Sequence, residues 1–196
     1  MKKIVFINSH LCSGSLDLCN ILNENPRMQI YSGNLALEHP DDLKQFTSLK
    51  HKLDNSAATY GIHLVANPQF RGKCLYHKNK FIYIICRPNI CLGLITKTIK
   101  YTPYNAYLYY TFRLRRLCEM AKMTKGAVFL TWDELVAGKG FDLLTSYLNL
   151  KPAVEPMPLE TPVIRKYPYD LLQKADESYE RHLYYLRHQD LLMVNH

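Results

Sequence analysis

Apolar residues in this chain alternate between short unbroken runs and stretches spaced three and four apart, separated by small polar turns. Ile4 to Ile7 is such a run, preceded by Lys2-Lys3 and closed by Asn8; its β-branched and aromatic content suits a strand covered on both faces of a parallel sheet. Ser9 to Ser15 follows as a turn, and Leu16 to Asn23 as a helix. After the break at Asn25-Pro26, Met28 to Tyr31 reads as a second strand. Pro40-Asp41-Asp42 opens a predicted helix carrying Leu43, Phe46, Leu49 and Leu53. Ile62 to Ala66 is strand-like and ends at Asn67-Pro68, while Phe81 to Cys86 is the strongest strand and runs into Arg87-Pro88-Asn89. A helix begins there with Ile90, Leu94, Ile95 and Ile99, and a long helix follows over Tyr104 to Met123. Gly126 to Trp132 is the next strand, Asp133 to Leu135 a helical turn, and Phe141 to Leu150 a further helix.

Five prolines (Pro152, Pro156, Pro158, Pro162, Pro168) make residues 151–168 an extended crossing segment. Residues 169–193 form a closing helix with Leu171, Leu172, Tyr179, Leu183 and Leu186 on a recurring face. Strands alternating with helices predict an α/β architecture with a parallel sheet. The 196 residues suffice for a single domain over 1–196.

Charge narrows the partners without choosing one. The chain carries a net +8 with a pI near 9.1, which favours acidic ligands such as nucleotides, phosphorylated or sulfated groups, or an anionic surface. The densest basic cluster, Arg113, Arg115 and Arg116, reads as a charged helix face, and the tyrosines Tyr101, Tyr104, Tyr107, Tyr109 and Tyr110 read as packing residues rather than base-stacking platforms. A nucleic-acid module would rest on charge and tyrosines alone, so no nucleic acid is expected. The six cysteines show no C-x-x-C pair and no zinc-ligand spacing, so they read as free thiols and no metal is expected. The apolar start is too short for a signal peptide and no run reaches membrane-spanning length. The expected setting is cytoplasmic, away from membranes.

Candidate chemistry gathers at the first turn. Ser13, Gly14 and Ser15 are small enough for the backbone to close around a ligand, and the following helix directs its N–H groups and positive dipole end into the turn. The pattern is neither the P-loop G-x-x-x-x-G-K-[ST] nor G-x-G-x-x-G, and Leu18 stands where a phosphatase loop beginning at Cys12 needs arginine. From the local pattern an anion site and an ordinary strand-to-helix turn both remain open.

Four segments, in order, resemble the sulfotransferase family. Leu11-Cys12-Ser13-Gly14-Ser15-Leu16 is similar to the family's P-R-S-G-T-T loop, and Leu64-Val65-Ala66-Asn67-Pro68 to its strand ending in K-x-P. Phe81 to Pro88 resembles the strand and R-D-P turn, and Val128 to Val136 the strand and Y-E-D-L-V turn. The helix Phe141 to Leu150 is similar to the one ending in F-L-G-L, so the likeness covers nearly the whole chain. It implies a three-layer α/β fold, a parallel sheet flanked by helices, of the P-loop-containing nucleoside triphosphate hydrolase-like type in its sulfotransferase form. It further implies sulfuryl transfer from 3′-phosphoadenosine 5′-phosphosulfate to a hydroxyl or amine on a small-molecule, glycan or peptide acceptor. The donor would be bound by Cys12, Ser13, Gly14, Ser15, Leu16 and Arg87, with Arg165 and Lys166 as further contacts for its 3′-phosphate. Glu38, His39 and His10 are the catalytic candidates, a carboxylate or imidazole being needed to take the acceptor's proton.

Cys12 and Ala66 stand where the family carries basic residues, and the serine after R-D-P falls among Gly93, Leu94 and Ile95. His10, Arg71, Lys73, Thr96 and Lys97 are the candidates to replace those contacts. The departures support an alternative, a non-catalytic nucleotide- or partner-binding protein on the same fold. A P-loop nucleotide kinase is opposed by the missing loop lysine.

Overall fold

The computed structural model describes residues 4–31, 59–65, 80–122, 124, 126–150 and 167–188. Five strands, β1 (Ile4–Ser9), β2 (Met28–Tyr31), β3 (Thr59–Val65), β4 (Lys80–Ile85) and β5 (Val128–Thr131), pair in the order β2-β3-β1-β4-β5, and every pair is parallel. The described helices are α1 (Ser15–Asn23), α2 (Pro88–Ile99), α3 (Pro103–Ala121), α4 (Trp132–Val136), α5 (Gly140–Leu148) and α6 (Tyr169–Arg187).

The central position of β1 follows from its composition. Val5, Phe6 and Ile7 are fully buried, as are Ile82, Tyr83 and Ile84 of the adjoining β4. Continuous apolar runs of this kind are stable only when helices cover both faces. Phe6 stacks on Phe81 at 5.3 Å between ring centroids, and Tyr83 on Phe129 at the same distance, so aromatic contacts tie β1 to β4 and β4 to β5. Tyr147 of α5 closes the start of β4: its hydroxyl accepts from the Phe81 N–H (2.9 Å) and donates to the Phe81 carbonyl (3.3 Å).

The elements stop where local chemistry says they should. Lys100 after α2 and Asn149 after α5 take left-handed conformations (φ 58° and 56°), a common way to end a helix, and Thr102 caps α3 by accepting from Asn105 N–H. Two of the boundaries that differ from expectation have a visible cause. β3 begins at Thr59 rather than Ile62, because Gly61 sits within a ladder that pairs it with Val5 and Ile30. Trp132 is the first residue of α4 rather than the last of a strand, because Thr131 and Glu134 form a reciprocal capping box. The predicted helix from Pro40 and residues 151–166 of the proline-rich segment lie outside the described residues, as do residues 189–193 of the closing helix.

Because all five strands run the same way, their carboxyl ends share one edge. Register aligns them: Ser9 lies opposite Val65 and Ile84, and Ile85 opposite Thr131. Ligands of open parallel sheets bind outside this edge, where strand order reverses. Here that point is beside β1, so the β1–α1 loop falls on it.

Candidate functional site

The loop from His10 to Gly14 is shaped from below by a histidine. His10 is 1% exposed; its Nε2 accepts from the Cys86 N–H (3.0 Å), so Nδ1 carries the proton and donates to the Leu11 carbonyl (2.9 Å). Burial lowers its pKa to about 4, and the ring is neutral at physiological pH. Tyr110 meets it edge-on at 5.2 Å and donates its hydroxyl to the Cys86 carbonyl (2.7 Å). Both backbone groups of Cys86 are therefore held by side chains, which fixes the exit of β4 and the start of Arg87. Tyr109, half-buried, accepts from Leu11 N–H at 3.3 Å.

Above this base the loop curls tightly. Cys12 (φ 57°) and Gly14 (φ 77°) are both left-handed, a geometry that turns successive N–H groups toward one concavity. Gly14 is required twice over: a side chain there would be strained by its φ, and a Cβ would lie 1.9 Å from Trp132 Cε3. Trp132, buried at the start of α4, is thus the wall against which the loop is pressed. The first bond of α1 runs from Leu18 N–H to Gly14 carbonyl (3.1 Å), so the N–H groups of its opening turn lie outside the helix ladder. Ser9 donates its hydroxyl to Ser15 (2.8 Å), bracing the loop across its width.

Four buried polar groups at this edge have no hydrogen-bond partner among the described residues: the Asn8 amide, the Ser13 hydroxyl, the Asn89 Oδ1 and the Trp132 indole N–H. Each such group costs roughly 1–3 kcal/mol unless something completes it. Cys12 supplies no charge: burial, with a smaller contribution from Cys86, pushes its thiol up to about 11. Burial likewise raises the thiols of Cys19 and Cys118 to about 12.

Arg87 projects from the neighbouring strand end. Arg87 at the N-cap of α2 meets Asp133 in the first turn of α4, and Nε lies 2.6 Å from Oδ2. The carboxylate raises the arginine's pKa, chiefly through this hydrogen bond. The guanidinium also lies over the Tyr179 ring of α6, 5.9 Å from its centroid. Glu134 uses its other oxygen on Arg187 (2.8 Å), linking α4 to the end of α6.

Of the residues expected at the site, His10, Cys12, Ser13, Gly14, Ser15, Leu16 and Arg87 are brought to this edge. Glu38, His39, Ala66, Arg71, Lys73, Arg165 and Lys166 lie outside the described residues. Thr96 spends its hydroxyl on the Gly93 carbonyl (2.9 Å) and Lys97 is exposed on α2. The roles of Trp132 and Asp133 were not foreseen; the Thr131-x-x-Glu134 capping-box pattern was the available signal. Among the described residues no cluster of His, Cys, Asp or Glu could hold a metal ion, and no helix is long and apolar enough to cross a membrane.

No family model and no curated protein sequence matches the chain. Solved structures do. A mouse sulfotransferase, SULT7A1, crystallised in complex with PAP, superposes with a TM-score of 0.65 at 15% identity, covering 100% of this chain and 90% of the other. A sulfotransferase from Alicyclobacillus acidocaldarius superposes with a TM-score of 0.59 at 12% identity, covering 95% and 94%. With its parallel sheet, flanking helices and strand-to-helix loop at the central strand, the chain has the sulfotransferase fold.

Proposed function

We propose that the chain is a sulfotransferase that binds 3′-phosphoadenosine 5′-phosphosulfate and passes its sulfuryl group to a hydroxyl or amine acceptor. The observation that carries the reading is the β1–α1 loop: a left-handed Gly14 pressed on Trp132 beside the buried Ser13 hydroxyl, which has no partner among the described residues. A 5′-phosphosulfate seated there would complete that hydroxyl and face the start of α1, whose dipole favours an anion. As the bond between sulfur and the bridging oxygen breaks, negative charge grows on the leaving nucleotide, and preorganised N–H and O–H donors stabilise that charge. The departing product is 3′-phosphoadenosine 5′-phosphate, the acceptor oxygen or nitrogen takes the sulfur, and its proton passes to a base.

His10 is ill suited to that last step, since both ring nitrogens are engaged with backbone groups. The base falls to Glu38 or His39, and the 3′-phosphate to Arg87 with Arg165 and Lys166. A small-molecule, glycan or peptide acceptor, a single domain over residues 1–196 and a cytoplasmic setting, where free thiols such as Cys12 and Cys19 stay reduced, complete the reading.

Millimolar 3′-phosphoadenosine 5′-phosphate is expected to raise the melting temperature, and Arg87→Ala to remove most of that shift. An unchanged melting curve in the presence of both the bisphosphate and the donor would sink the proposal. A second reading, nucleotide binding without transfer, is favoured by the uncharged Cys12 thiol. Incubation with sulfur-labelled donor and a broad acceptor panel separates the two, labelled product excluding the second.

A further inference from the structure

Arg87 is the cation that the proposed nucleotide site offers to a 3′-phosphate, yet carboxylates already surround it. Asp133 holds its Nε at 2.6 Å. From α6, Asp176 and Glu180 lie close enough to act on it electrostatically, and Tyr179 supports the guanidinium from below at 5.9 Å. Among the described residues Asp133 takes Nε and no hydrogen bond engages the two Nη groups. Both members of the ion pair are about half exposed, 51% and 45%, and pairs in such surroundings are weak and readily exchanged. A phosphate carries more charge than a carboxylate and can engage the arginine fork at two points.

We propose that Asp133 is a built-in competitor for the 3′-phosphate: the ligand-free chain holds Arg87 with this carboxylate, and a 3′-phosphorylated nucleotide binds by displacing it. The inference rests on the nucleotide reading of the loop and adds to it a residue that sets discrimination between ligands. A carboxylate at this point opposes a sugar phosphate but tolerates a sugar hydroxyl, the same choice by which acidic and basic residues divide nucleotides with and without a ribose phosphate. Asp176 and Glu180 add to the opposition from the facing helix. The chain is thereby tuned to bind the bisphosphate more loosely than Arg87 alone would allow, a property that also favours release of a bisphosphate product.

The test compares 3′-phosphoadenosine 5′-phosphate with adenosine 5′-monophosphate by calorimetric titration of the wild type, Asp133→Asn and Asp176→Asn. Asp133→Asn is expected to tighten the bisphosphate by about fivefold and to leave the monophosphate unchanged, with a smaller change in the same direction for Asp176→Asn. The Thr131–Glu134 capping box is untouched by either substitution, and Asp176→Asn decides the question should Asp133→Asn fail to fold. An unaltered ratio of the two affinities, or a weaker bisphosphate in the variants, overturns the competitor role while leaving the nucleotide site standing. Absence of binding by either nucleotide to any of the three proteins overturns the nucleotide reading and this inference with it.

Discussion

At the scale of single residues, His10 has the sharpest consequence. Its pKa is about 4 in the folded chain against 6.5 for an ordinary histidine, so between these values the unfolded state binds a proton that the folded state does not. Stability then rises with pH across that window and is lost on acidification through it, by about 3 kcal/mol at the acid end. His10→Gln, which can still accept from Cys86 N–H, is expected to flatten the slope of urea-derived stability between pH 6.5 and 4.5 relative to wild type. An equal slope in both proteins refutes the assignment. Residues of this kind are half legible in a sequence. That His10 belongs to the first loop could be read from the apolar run before it, but its burial under β4 depends on Cys86, far along the chain, and no local pattern encodes that distance. Arg87 was legible because it follows the strongest strand; its partner Asp133 was not, because the pair joins the turn after β4 to the first turn of α4, 46 residues along the chain.

At the scale of elements, α4 is a test of how much a short helix owes to its cap. Thr131 accepts from Glu134 N–H (3.2 Å) and the Glu134 carboxylate accepts from Thr131 N–H (2.8 Å), a reciprocal arrangement that orients the first turn and with it Trp132 and Asp133. Thr131→Ala is expected to lower stability by about 1 kcal/mol and to loosen nucleotide binding, since Trp132 is the wall of the loop. Arg187→Ala, which removes a half-exposed ion pair to Glu134, is expected to change stability by less than about 1 kcal/mol. Chemical denaturation of the two variants side by side checks both. The strands were the most legible elements because composition alone marks them: β2 is bounded by the Asn25-Pro26 break, and β4 by Arg87-Pro88. Where the pattern misled, a specific interaction had overridden it, a ladder passing through Gly61 in β3 and a capping box drawing Trp132 out of β5.

At the scale of the whole molecule, the net charge of +8 surrounds a site at which Arg87 is paired with Asp133. Attraction of a polyanionic nucleotide then depends on the summed field as well as on contacts, and that field is screened within about 8 Å at physiological salt. Affinity for 3′-phosphoadenosine 5′-phosphate is expected to fall steadily as sodium chloride rises from 50 to 500 mM, which titration at fixed pH measures; a flat response would confine the electrostatics to the immediate contacts. The order of strands has a consequence of another kind. β1 sits at the centre of the sheet, with Ile4 opposite Tyr60 and Val5 opposite Lys80, so the strand on which all the others depend has no partner nearby in the chain. Long loops must close before its apolar run is covered, which makes for slow folding with a sticky segment exposed meanwhile. The same arrangement that seats a ligand loop on the middle of the sheet leaves the chain's central apolar strand waiting for distant partners.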